Sequence, residues 1–133
     1  MATPLLPQSY PDDFQIITLP LTVAEGVDRA IFYADRTLVV DSVVIGCTTA
    51  DGNGTIAIKH GASPLEADIT TNGTFITVAT TAGALTAGAV LTPTIITASN
   101  ANEVAAGRWV GIDATTAESF AGVVQIRFRS RLA

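Results

Sequence analysis

Basic and nucleophilic side chains are the scarcest materials in this chain. Among 133 residues there is one histidine, one cysteine and a single lysine, Lys59; the other six basic residues are arginines. Charged residues make up only 14% of the sequence, well below the roughly 25% of ordinary soluble domains. Each shortage excludes something. One cysteine, Cys47, forbids an intrachain disulfide and suits a reducing compartment. A net charge of −5 argues against general nucleic-acid binding, which needs clustered Lys and Arg to displace counterions. No apolar run approaches the roughly 20 residues of a membrane-spanning helix. Met1-Ala2-Thr3-Pro4 opens without the basic region and apolar stretch of a secretory signal.

The same poverty argues against chemistry. Proton transfer, nucleophilic attack and metal binding draw on His, Cys and clustered carboxylates held beside one another. His60 follows a strand end before Gly61, with no partner beside it, and reads as a surface turn residue. Cys47 lies just past an apolar strand and reads as a small buried hydrophobe. Asp51-Gly52-Asn53-Gly54 begins like a calcium loop but lacks the later oxygen ligands, so it reads as a turn. Asp12-Asp13 reads as a solvated acidic pair. The expectation is a protein that is not an enzyme and uses no cofactor and no metal.

What is abundant is β-forming sequence. Hydrophobic residues reach 48%, and 133 residues suffice for one domain burying about two-thirds of its unfolded surface. The two clearest runs are Gly107-Arg108-Trp109-Val110-Gly111-Ile112-Asp113 and Val123-Val124-Gln125-Ile126-Arg127-Phe128-Arg129. Both alternate with a period of two, as strands with one buried face do. Further runs at Phe14–Leu19 (stopped by Pro20), Val27–Tyr33, Thr37–Gly46, Thr55–Lys59, Thr74–Val78 and Val90–Ala98 bring the count to about eight. The last two extend over Glu103–Asp113 and Phe120–Arg131. Asn72-Gly73 is a hairpin-type signal, Leu65–Thr71 is ambiguous, and no window carries a helical apolar stripe. Strands at this spacing predict an all-β, single-domain antiparallel β-sandwich. Pro4, Pro7 and Pro11 make the start of the chain extended. An N-terminal arm over residues 1–26, followed by a sandwich over residues 27–133, is the expected layout.

Several residues are candidates for an interface. The first residues are either a frayed terminus, the commoner fate of a chain end, or an arm lying on a neighbour, which would give Leu5, Leu6 and Tyr10 an apolar partner. Arg127, Arg129 and Arg131 share one face of the last strand, with Val124, Ile126 and Phe128 on the core face. That row either discourages edge pairing or docks an acidic surface. If Val110 and Ile112 face the core, Trp109 points the other way, as an interface anchor or as a residue under a loop. A charge-poor exterior itself points to cover by other subunits.

Two segments, taken in order, carry a family likeness. Ile31-Phe32-Tyr33-Ala34-Asp35-Arg36 leads into the Val-rich strand Leu38–Ile45. Ala105-Ala106-Gly107-Arg108-Trp109-Val110-Gly111-Ile112-Asp113 then precedes the closing amphipathic strand. This order resembles the decoration, or cement, proteins of tailed-bacteriophage capsids, over residues 28 to 131. Arg108-Trp109 stands where those proteins often carry Asp-Arg. The resemblance implies a jelly-roll-like sandwich and a homotrimer at three-fold or quasi-three-fold positions on the outer capsid surface. It implies the major capsid protein as partner, with assembly in the bacterial host cytoplasm, and no contact with nucleic acid or membrane. A second reading is a head-fibre or receptor module that binds glycans, for which Tyr10, Tyr33 and Trp109 are the available aromatic residues.

Overall fold

The computed structural model describes residues 14–23, 29–49, 55–79, 86–115 and 120–131. Among the described residues nine strands follow one another: β1 Phe14–Val23, β2 Arg29–Tyr33, β3 Leu38–Thr49, β4 Thr55–Gly61, β5 Thr74–Phe75, β6 Val90–Leu91, β7 Glu103–Val104, β8 Trp109–Thr115 and β9 Phe120–Ser130. One short helix, α1 Glu66–Thr70, interrupts them after β4. The first sheet has the order β1-β9-β3-β6, with β7 also paired to β3; the second has the order β2-β8-β4-β5. All these pairings are antiparallel.

The pairings are nested. β1 pairs with β9, β2 with β8, β3 with β6 and β7, and β4 with β5. A long hairpin rolled up on itself pairs first with last in this way and closes by joining β9 to β3 and β8 to β4. This is the jelly-roll sandwich. It also means that the two C-terminal strands, consecutive in sequence, lie in different sheets.

Alternation explains the core. Val40, Val43, Ile45, Val124, Ile126 and Phe128 of the first sheet face Ile56, Ile58, Val110 and Ile112 of the second, all essentially buried. Phe32 stacks on Phe128 across the gap, with ring centroids 5.7 Å apart, a favourable offset geometry. Cys47 is buried in the same cluster as a small apolar residue.

The structure corrects the sequence reading at several places, among them the expected strands Thr74–Val78 and Val90–Ala98, which are strands only over Thr74–Phe75 and Val90–Leu91. Residues 14–23, assigned to the arm, form β1 and pair with β9 along their whole length, Phe14↔Arg129 through Val23↔Phe120. Pro20 does not stop the strand, because β1 is an edge and a missing amide donor costs no bond on its open side. Residues 1–13, with Leu5, Leu6 and Tyr10, lie outside the described residues. The run Glu103–Asp113 is two strands, divided by a turn in which Gly107 has φ +89°. Leu65–Thr71 contains α1, and Asn72-Gly73 follows that helix instead of joining two strands. His60 belongs to β4 and is 7% exposed, so it is not a surface turn residue; it continues the inward alternation of Ile56 and Ile58.

α1 is seated on the outer face of the second sheet by two glycines. A β-carbon on Gly61 would overlap the Asp68 carbonyl, and one on Gly111 would sit 2.8 Å from both the Arg29 carbonyl oxygen and Ile69 Cγ2. Ile69, fully buried, is the helix residue that enters this gap. Gly61→Ala is therefore expected to lose about 1–3 kcal/mol of stability through overpacking. Gly46→Ala, whose β-carbon has 3.9 Å of clearance, is expected to be neutral or slightly stabilising. Urea unfolding of the two variants checks the contrast.

Candidate interaction surfaces

The outer face of the first sheet carries the predicted arginines. Arg127 and Arg129 alternate with the buried Ile126 and Phe128, on the face shared with Val123 and Gln125. Arg131 lies just beyond β9, where its amide donates to the Thr37 carbonyl. The row is not a bare line of guanidinium groups. Arg131 Nη1 is 2.9 Å from Glu103 Oε2, and Arg129 Nε is 3.9 Å from Asp41 Oδ1. Asp41 reaches its position because the β3 register shifts between Val40 and Ser42. Pairs this exposed add little stability.

Register shows what else shares the face. Ile16 stands opposite Arg127, Thr18 opposite Gln125, and Pro20 opposite Val123. On the other side of β9, Val44 is opposite Gln125 and Gly46 opposite Val123, with Val90 beyond Gly46. Ile16 and Val90 are 58% and 67% exposed, and Val123 is also open. The face therefore has an apolar end at Val123 and Val90 and a basic end where Ile16 stands beside Arg127, and no element among the described residues covers it.

Trp109 lies on the opposite side of the molecule, on the outer face of the second sheet. Its directly paired neighbour is Tyr33, with ring centroids 5.1 Å apart at an interplanar angle of 57°. Tyr33 is half exposed and Trp109 partly buried. The bonds Ala34 N–H to the Arg108 carbonyl (2.9 Å) and Gly107 N–H to the Ala34 carbonyl (2.7 Å) fix the turn beside the pair. The sequence named both aromatic residues without grouping them. The signal that joins them is register, which exists only once β2 is laid against β8.

Two charged arrangements were not anticipated. Lys59 and Asp113 are diagonal neighbours on β4 and β8, on the face that α1 covers. Lys59 Nζ lies 2.8 Å from Asp113 Oδ2, and the two side chains are 6% and 5% exposed. The ammonium also donates to the Thr70 carbonyl at 2.7 Å and sits 4.1 Å from the centroid of the Phe75 ring. Asp113 Oδ1 is buried and receives no hydrogen bond. Nearby, Arg108 Nε donates to His60 Nδ1 at 2.7 Å, and Arg108 Nη2 donates to the His60 carbonyl at 3.2 Å. Burial first, and the Arg108 charge second, lower the His60 pKa from 6.5 to about 4. An imidazole whose Nδ1 already accepts the Arg108 Nε–H hydrogen bond is a structural link, not a free base.

Among the described residues no group of three or more His, Cys, Asp or Glu is placed to hold a metal ion. No protein family, curated protein or solved structure matches the chain.

The histidine gives a pH prediction. As pH falls below 6.5 the unfolded chain takes up a proton at His60, while the folded protein resists until about 4. Stability is therefore lost across that window and not further below it, by on the order of 2 kcal/mol from this group. Unfolding free energies between pH 7 and 4 should fall more steeply for the wild type than for His60→Asn.

Proposed function

We propose that this protein is a non-enzymatic virion component, a homotrimer that decorates and cements the outer surface of a bacteriophage capsid. The observation that carries the reading is the outer face of the first sheet, which no element among the described residues covers. In a chain with 14% charged residues, that face combines exposed Ile16, Val90 and Val123 with Arg127, Arg129 and Arg131. Exposed apolar residues beside a row of arginines are the composition of surfaces that bind other proteins. The jelly roll supports the reading more weakly, because that fold serves capsids, lectins and cupins alike. The order of residues between 28 and 131 adds the decoration-protein likeness. In this reading the face packs against other copies or the major capsid protein and braces neighbouring shell subunits.

Light scattering at micromolar concentration is expected to give three times the 13.7 kDa of one chain. The protein is expected to bind purified phage heads that lack it. The triple variant Arg127→Ala/Arg129→Ala/Arg131→Ala should lose trimer mass or head occupancy. Its unfolding midpoint should change little, since each exposed substitution costs within about 0.5 kcal/mol. A monomeric wild type rejects the homotrimer, and a triple variant with undiminished mass and occupancy removes the arginines from the interface.

The Tyr33–Trp109 pair supports a second reading, a head-fibre or receptor-binding module. Sugars stack on exposed aromatic faces, and these two rings adjoin at 5.1 Å with Tyr33 open to solvent. On a glycan array this reading expects binding above background that Trp109→Ala abolishes. A blank array rejects it.

A further inference from the structure

From the geometry of the second sheet we propose that Lys59 and Asp113 are joined by an intramolecular isopeptide bond, a site of self-catalysed modification that does not depend on the capsid reading. Lys59 is the sole lysine of the chain. It is held where a lysine is least comfortable, with its side chain 6% exposed against a carboxylate 5% exposed at 2.8 Å. Hydrogen-bond contact with Oδ2 leaves the amine one carbon–oxygen bond from the carboxyl carbon. Adjacent hydrogen-bonded strands, with α1 above them, prevent the two groups from drifting apart. Such confinement turns a slow bimolecular condensation into an effectively unimolecular one.

The step balances within the pair. The ammonium passes one proton along its 2.8 Å contact to Asp113 Oδ2. The free amine then attacks the carboxyl carbon, the N–C bond forms, and Oδ2 leaves as water with a second amine proton, while Oδ1 stays as the amide carbonyl oxygen. No oxidant, cofactor or co-substrate is needed. The product also removes what is costly in the reactants. Two buried charges become one neutral amide, where either charge left unpaired would be severely destabilising. The remaining N–H keeps the acceptor that Nζ already uses, the Thr70 carbonyl at 2.7 Å. The Phe75 ring over Nζ at 4.1 Å shields the site from the water that would reverse the reaction.

Intact mass spectrometry of the denatured full-length protein tests this directly. The expected mass is the sequence mass less one water. Tryptic digestion should leave Lys59 uncut and give a branched product, residues 37–108 joined to residues 109–127. Lys59→Met should restore its own full sequence mass. That control separates the bond from dehydration at Asp51-Gly52, which the substitution leaves in place. A wild-type mass equal to the sequence mass overturns the proposal. So does a water loss that persists in Lys59→Met, or a digest in which residues 37–59, 60–108 and 109–127 separate freely. The wild-type mass and digest decide the question even if a variant fails to fold.

Discussion

The fold depends on the placement of β9 between β1 and β3. Ten register pairs join it to each neighbour, and its side chains alternate between Val124, Ile126 and Phe128 inside and Val123, Gln125, Arg127 and Arg129 outside. A slip of one residue would put arginine into the core and phenylalanine into water. The same strand therefore sets the core of the sandwich and the composition of its exterior. Because β9 is the last strand and β1 the first, this central ladder also closes the roll, and the inner pairs β2–β8 and β4–β5 lie in the opposing sheet.

The two outer faces are treated differently. Over the second sheet the chain spends a helix of its own. Gly61 and Gly111 have no side chain to hold α1 away, Ile69 fills the space, and Lys59 and Asp113 are sealed beneath. Over the first sheet no described element does this, and Ile16, Val90 and Val123 stay open. A covered face needs only internal fit. An open apolar face on a charge-poor chain carries a solubility cost unless something occupies it. This asymmetry is the physical ground for reading the first sheet as the contact surface.

Period-two alternation made much of the fold legible. It gave the all-β sandwich, the inward Val124, Ile126 and Phe128, the outward arginines, and the inward Val110 and Ile112. It also contained His60, which shares the inward phase of Ile56 and Ile58. The following Gly61 obscured that phase, because a glycine after a polar residue looks like a turn when it is in fact clearance for a helix. Pro20 misled in the same way: its effect depends on whether a strand is central or at an edge, and strand order is not written in local sequence. The site was less legible. Tyr33 and Trp109, and Lys59 and Asp113, are more than fifty residues apart and meet only through register.

The buried lysine shows why alternation alone misjudges such a site. By phase, Ala57 and Lys59 belong to the outer side of the second sheet, where a lysine would ordinarily be solvated. What changes its state is α1, only five residues long and too short to have an amphipathic stripe in the sequence. Once Ile69 sits over the glycines, the ammonium loses water on every side. It is left with the Asp113 carboxylate, the Thr70 carbonyl and the Phe75 ring as its surroundings. An ion pair bound so tightly stabilises the fold only weakly, because desolvation offsets much of its attraction. Apolar residues of similar volume would serve a purely structural purpose at lower cost. A pair whose members react and become neutral escapes that cost altogether, and this is why the chain's one lysine can stand here when the rest of its basic residues are arginines on or near the surface.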